Sequence, residues 1–479
     1  MNVENLTMLT DFYELTMANG YLEHGFSEKK AYFDMFFRKV PDNGGFAIMA
    51  GLKQVIDYLD NLKFTDEDID YLRNKNIFSE KFLDYLKNFK FECDVWSIPE
   101  GTPIFPHEPI ITVCGPVIQA QFIETMILLS INHQSLIATK ANRIVRASEG
   151  RAVMEFGSRR AQGYDGAVYG ARAAYIAGCV GTACTLSERM EGIPALGTMA
   201  HSWVQMFDSE YDAFVAYAKT YPDNCTLLVD TYNVLKSGVP NAIKAFNDVL
   251  VPMGKRPKGI RIDSGDIAYL SKQARKMLDD AGFTDCIITA SNSLDEYIIR
   301  DTLSQGAKID SFGVGERLIT SKSEPVFGGV YKLAAVEKDG EIVPKIKISE
   351  NIEKITNPGF KQVYRLFSKE SGKAIADVIT VFDEEIDDTK PYEIFDPEHT
   401  WKRKTLTNFK AEKLTKQIYC GGKRVYESPD VHEIKARCKN EIDRLWDEVK
   451  RFEFPHKYYV DLSQKLWDMK NELLKKYSE

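Results

Sequence analysis

One pattern recurs seven times in the middle of this chain. Short apolar or β-branched runs occupy residues 152–156, 177–182, 194–198, 226–230, 259–263, 286–290 and 309–313. They start roughly 15 to 32 residues apart, with helical patterns between them, the period of β/α units. Runs that alternate with helices belong to parallel sheets, because parallel neighbours need long crossovers. Seven in succession suggest an α/β barrel, irregular or incomplete, over an open sheet, although periodicity alone does not separate the two. Most of the runs lead into a cluster rich in glycine, hydroxyl or charge: Glu155-Phe156-Gly157-Ser158-Arg159-Arg160, Gly197-Thr198-Met199-Ala200-His201-Ser202-Trp203, Arg261-Ile262-Asp263-Ser264-Gly265-Asp266, Ala290-Ser291-Asn292-Ser293 and Phe312-Gly313-Val314-Gly315. Loops after strand C-termini are where such a barrel keeps its chemistry.

With 479 residues, the chain exceeds one ordinary core and divides into several regions. Residues 1–149 read as an N-terminal α/β domain with a long helix. Within it, 11–21 reads as a helix capped by Thr10 or Asp11, 31–38 as a strand and 116–147 as the long helix. Residues 150–325 are the barrel. Residues 326–395 are hairpins that pack back on the N-terminal domain, with Lys338-Asp339-Gly340-Glu341 as a turn. Residues 396–479 are a helical C-terminal extension, on the strength of Ile434, Cys438, Ile442, Leu445 and Val449 at helical spacing.

Composition excludes several classes of function. The apolar fraction is 44% and the mean hydropathy −0.30, as in soluble globular proteins. The strongly apolar stretch 126–131 is far too short to cross a bilayer. The start, Met1-Asn2-Val3-Glu4-Asn5, lacks the basic and apolar regions of a signal peptide. No membrane association and a cytoplasmic location are expected. Cys93, Cys114, Cys179, Cys184, Cys225, Cys286, Cys420 and Cys438 are scattered without a CxxC pair, which points to reduced, buried thiols. A net charge of −8 argues against nucleic acid as a partner. An anionic small substrate stays open, because local arginines bind phosphate whatever the net charge.

Strand alternation turns Arg261 and Asp263 to the same side. Such a pair binds a phosphate with ribose hydroxyls or a magnesium ion, or simply closes a strand end. Gly313 and Gly315 either cradle a phosphate with backbone N–H groups or shape a tight turn. Arg159 and Arg160 suit a carboxylate or pyrophosphate, or are solvated residues at a helix start. His201 is either a filler or an imidazole able to attack a phosphoryl group or move a proton. Together these pieces describe a site for a phosphorylated sugar without naming its reaction.

Leu9-Thr10-Asp11-Phe12-Tyr13-Glu14-Leu15-Thr16-Met17, EFGSRRAQG (155–163), GTMAHSW (197–203), RIDSGD (261–266), SFGVGERL (311–318), GGVYKL (328–333) and NPGFKQVYR (357–365) closely resemble, in this order, the nicotinate phosphoribosyltransferase family. The resemblance implies conversion of nicotinate and 5-phosphoribosyl 1-pyrophosphate to nicotinate mononucleotide and pyrophosphate, with coupled ATP hydrolysis, in NAD salvage. It implies an irregular α/β barrel with an N-terminal α/β sandwich-like domain, a homodimer with shared sites, and Mg2+ as cofactor. Carried over by residue, His201 accepts a phosphate from ATP. Tyr13 of a partner subunit stacks on the pyridine ring opposite Phe156, and Arg159 and Thr198 lie near the nicotinate carboxylate. Arg261 and Asp263 hold ribose, phosphate or magnesium, and Gly313, Gly315 and Glu316 lie around the 5-phosphate. Glu316 departs from the pattern, since many relatives carry a small hydroxyl residue there. It either points away or shifts the phosphate by a residue or two. The related nicotinamide-using enzymes carry an acidic residue near Thr182-Ala183-Cys184; its absence favours nicotinate. A phosphosugar isomerase or aldolase would need a Schiff-base lysine or acid–base pair at a strand end, and neither is present. A non-catalytic scaffold would not need these polar clusters.

Overall fold

A computed structural model of the chain describes residues 5–351 and 354–478. The chain divides into two compact units: one runs up to Leu136 and resumes at Val326, and the other is Ile137–Pro325. The architecture is mixed α/β.

The second unit is built on six strands: β1 (Ala152–Glu155), β2 (Gly181–Thr182), β3 (Thr226–Leu228), β4 (Gly259–Ile262), β5 (Ile287–Ser291) and β6 (Ser311–Val314). They form one sheet in the order β2-β1-β6-β5-β4-β3, and every neighbouring pair is parallel. The run at 194–198 contributes a single parallel bridge from Ala195 to Thr182, held by Thr182 N–H to Pro194 O at 3.0 Å and Leu196 N–H to Thr182 O at 2.8 Å. All seven predicted runs therefore lie side by side in chain order, with the last, β6, against the first, β1. Among the described residues no ladder joins the 194–196 segment to β3, so the hydrogen bonds do not close into a ring. The strands read as apolar runs because helices cover parallel sheets. Val204, Phe214, Leu227, Val239, Phe246, Ile260, Ile262, Leu278 and Ile288 form one buried cluster. Asp266 caps helix Ile267–Asp280 through Tyr269 N–H, and Asp295 caps helix Glu296–Ser304 through the N–H groups of Tyr297 and Ile298. Both caps sit where strand gives way to helix and fix the direction of the chain as it leaves the sheet.

The first unit carries a seven-stranded antiparallel sheet, in the order Glu341–Pro344, Val330–Lys338, Lys30–Phe36, Ile111–Pro116, Asp94–Ser97, Lys416–Cys420, Lys423–Arg424. The turn at 338–341 joins its first two strands through the pair Lys338 and Glu341. A four-stranded sheet places Phe409–Lys413, Lys361–Ser368, Ala374–Val381 and Val460–Leu462 side by side.

Two expectations are corrected here. The long helix at 116–147 is two helices, Val117–Phe122 and Glu124–Ala147. Ile123 between them leaves the helical region at φ −93°, ψ 3°. The segment 396–479 is not simply helical. Helices Val431–Asp443 and Gln464–Ser478 are present, but strands occupy Arg403–Leu406, Phe409–Lys413, Lys416–Cys420, Lys423–Arg424 and Val460–Leu462. Burial does not alternate along these strands, so the two-residue period that marks a strand is missing from their sequence. The helical stripe ends early: Leu445 and Val449 are buried beyond the end of helix Val431–Asp443. No helix of the described residues is long and apolar enough to cross a membrane.

Candidate active site

Polar side chains of the second unit converge at the C-terminal ends of its strands. Arg261, the third residue of β4, is the hub. Its Nε donates to Ser291 Oγ at 2.9 Å, Nη1 to Thr198 Oγ1 at 3.1 Å and to Met199 O at 3.3 Å, and Nη2 to Asp263 Oδ1 at 3.2 Å. Ser291 Oγ also donates to Asp263 Oδ1. The strand alternation that puts Arg261 and Asp263 on one side is therefore realised as a direct ion pair. The guanidinium lies 5.9 Å from the centroid of the Phe156 ring.

His201 opens the short helix His201–Gln205. Its Nδ1 is 3.1 Å from Thr231 Oγ1, and its Nε2 is 3.9 Å from Asp263 Oδ2. The histidine, the Arg261–Asp263 pair and Thr198 thus form one constellation. Asp230, two residues past β3, braces it: Oδ2 accepts from Asp263 N–H at 3.1 Å and from Ser264 Oγ at 2.6 Å. Its Oδ1 is buried without a hydrogen-bond partner. After β5, Asn292 and Ser293 both adopt positive φ, 100° and 39°. Backbone strain of this kind persists where the surroundings impose it.

The glycines after β6 have a packing reason. A Cβ on Gly313 would lie 2.5 Å from the Phe156 ring, and one on Gly315 would lie 3.2 Å from Phe156 O. Gly313 leaves the space beside β6 that the aromatic ring occupies. Glu316 is exposed, and Lys322 Nζ binds its Oε1 at 2.8 Å. That bond holds its carboxyl below the ordinary range, so the side chain of this departure from the family pattern is already neutralised. Arg159, in the turn Ser158–Arg160, is exposed. Among the described residues, neither a hydrogen bond nor an ion pair ties it to the constellation.

Glu155 sits beneath Phe156. It is fully buried, accepts from Thr182 Oγ1 at 2.6 Å and takes Gly157 N–H on its other oxygen. Burial pushes its carboxyl up. Tyr13 belongs to the first unit, on helix Phe12–Glu23. It opens on a cavity of about 570 Å³ lined also by Met17, Phe33, Glu124, Tyr331 and Lys332. Burial, with the Glu124 carboxylate beside it, pushes the Tyr13 phenol up.

Asp230 and Thr231 were not among the residues expected from sequence, and Ser291 was seen only as part of a cluster. The signal for Asp230 was available: it ends its apolar run with a carboxylate, as Asp263 does. Thr231 carried none, because one hydroxyl in a polar turn is unremarkable.

Three models of one family match in sequence. One described as nicotinate phosphoribosyltransferase N-terminal domain covers residues 8–132, one described as the nicotinate phosphoribosyltransferase family covers 151–382, and one described as its C-terminal domain covers 360–470. The nicotinate phosphoribosyltransferase of Bacillus subtilis (strain 168) is 45% identical over 98% of this chain and 95% of its own length. The chain belongs to the nicotinate phosphoribosyltransferase family. A Caenorhabditis elegans protein of the same name is 34% identical over 97% of this chain and 93% of its own. The crystal structure of human Nicotinic Acid Phosphoribosyltransferase matches the fold with a TM-score of 0.86 at 28% identity, over 97% of this chain and 99% of that one. The family motifs fall on the constellation itself: GTMAHSW supplies Thr198 and His201, and RIDSGD supplies Arg261 and Asp263.

Proposed function

We propose that the chain transfers the phosphoribosyl group of 5-phosphoribosyl 1-pyrophosphate to nicotinate, with ATP hydrolysis coupled through a phosphohistidine at His201. The product, nicotinate mononucleotide, enters NAD salvage. The observation that carries the reading is the constellation of Arg261, Asp263, Thr198, Ser291 and His201, linked by contacts of 3.9 Å or less in a chain of the family named for this reaction. The pyridine nitrogen displaces pyrophosphate at the anomeric carbon, so the transition state has oxocarbenium character and no protein nucleophile attacks the sugar. Positioning and fixed charge then supply most of the rate.

Phe156 supports one face of the pyridine ring, with Arg159 and Thr198 near its carboxylate. Arg261 and Asp263 hold the ribose and phosphate, and the backbone at Gly313, Gly315 and Glu316 surrounds the 5-phosphate. Thr182 is covered by Glu155, whose carboxylate is buried and occupied. A Glu155 carboxylate taken up in this way is not offered to an amide, which favours nicotinate over nicotinamide. In this reading the cyclic strand order is that of an irregular barrel. Two copies of the chain form a cytoplasmic homodimer, and Tyr13 of the partner completes the stack.

Magnesium fits the donor set. The unpartnered buried oxygen of Asp230 and the carboxylate of Asp263 match an ion that takes one or two protein carboxylates and otherwise substrate phosphates. When bound there it neutralises pyrophosphate charge.

The test is mass detection of mononucleotide from phosphoribosyl pyrophosphate with nicotinate or nicotinamide, with and without ATP. Nicotinate turnover raised by ATP, with the ATP-dependent part absent in His201→Ala, is expected. Turnover of nicotinamide instead, or of neither base, overturns the assignment.

A further inference from the structure

We infer that Thr231 is the positioning residue of His201: its hydroxyl fixes the imidazole in the orientation from which it takes the terminal phosphoryl group of ATP. The inference rests on the phosphohistidine reading above.

The His201 ring needs an anchor. It stands on the first residue of a five-residue helix, and its side chain is 41% exposed. Among the described residues, Thr231 Oγ1 at 3.1 Å from Nδ1 is the one hydrogen bond made to the ring. The Asp263 carboxylate, 3.9 Å from Nε2, biases the ring electrostatically but lies beyond hydrogen-bond reach. Thr231 itself is well held. It follows Asp230, whose carboxylate is bound by Asp263 N–H and Ser264 Oγ, and its β-branched side chain is stiff at χ1.

The chemistry favours a hydroxyl at this place. A neutral imidazole presents one donor and one acceptor, and a hydroxyl that accepts from Nδ1–H leaves Nε2 with its lone pair free. In the step itself, Thr231 Oγ1 accepts the Nδ1 proton and the Nε2 lone pair forms the N–P bond. The bond from the γ-phosphorus to the bridging oxygen breaks, its electron pair leaves with ADP, and the ring proton stays on the other nitrogen. Misplacing an attacking group by about 1 Å costs on the order of 100-fold in rate.

The experiment measures transfer of label from γ-labelled ATP to the full-length protein in single turnovers across ATP concentrations, for wild type, Thr231→Val, Thr231→Ala and Thr231→Ser, with His201→Ala as the blank and melting temperatures as the check on folding. The expected result is a maximal rate about 10- to 100-fold lower in Thr231→Val and Thr231→Ala with half-saturating ATP nearly unchanged, and a rate within about threefold of wild type in Thr231→Ser. A wild-type rate in Thr231→Val or Thr231→Ala, or a Thr231→Ser as slow as they are, overturns the inference while leaving phosphohistidine standing. Absence of label on the wild type removes both.

Discussion

Arg261 holds four groups at once, and that arrangement sets what its replacement does. Lysine keeps the charge but cannot reach Ser291, Thr198, Met199 O and Asp263 together, because it lacks the planar fork. Arg261→Lys is expected to lower kcat/KM by about 100-fold, near 2.7 kcal/mol of transition-state stabilisation, with little change in melting temperature. Steady-state kinetics with nicotinate checks it. Gly313→Ala tests a different constraint. Its Cβ would meet the Phe156 ring at 2.5 Å, so the ring must turn, and nicotinate KM should rise by about tenfold or more with the fold retained. At this scale the sequence was legible where a residue type carries its chemistry openly, as with His201, Asp263 and Arg261. It was silent on Thr231, whose role comes from a neighbour 30 residues away. It also gave no reason for Gly313 beyond a turn or a phosphate, since the ring that requires the glycine arrives from another strand.

The helix Phe12–Glu23 is pinned by a buried acid. Glu14 accepts from Thr125 Oγ1 at 2.6 Å and Thr125 N–H at 3.2 Å and also from Thr10 Oγ1. Asp11 occupies the cap position without a side-chain bond, so Thr10 serves this carboxyl instead of capping the helix. Burial pushes the Glu14 carboxyl up to about 7 from its ordinary 4.5, against the pull of those hydrogen bonds. A raised acid favours the folded state below its unfolded value, and that contribution is lost as pH rises through about 7. Relative to wild type, Glu14→Gln should therefore gain on the order of 2 kcal/mol between pH 5 and pH 8.5. Thermal melts of both proteins at the two pH values check this, and a constant difference contradicts it. Elements with one clear period were readable: all seven runs of the second unit lie in parallel neighbourhood. Elements whose partners are distant in sequence were not: Phe409–Lys413 pairs with Lys361–Ser368 and Lys416–Cys420 with Asp94–Ser97.

For the whole molecule, the proposed sharing of sites has a direct consequence. Tyr13 and His201 lie in different units of one chain. If each site joins one subunit's His201 to the other's Tyr13, mixing Tyr13→Ala with His201→Ala chains restores one intact site per heterodimer. Statistical reassortment then returns about a quarter of the wild-type ATP-dependent turnover. Turnover that stays at the level of the separate variants argues for sites made within single chains. The same chain layout bears on synthesis. Lys30–Phe36 lies between Ile111–Pro116 and Val330–Lys338, and β1 meets β6 only after the sheet's other members have been made. At ribosomal speeds of about 5–20 residues per second, the strand beginning at Lys30 waits roughly 15 to 60 seconds with one edge bare. Nascent chains of this protein are thus open to sticking to one another for most of their translation, and a message broken before codon 330 yields a product that cannot shield that edge.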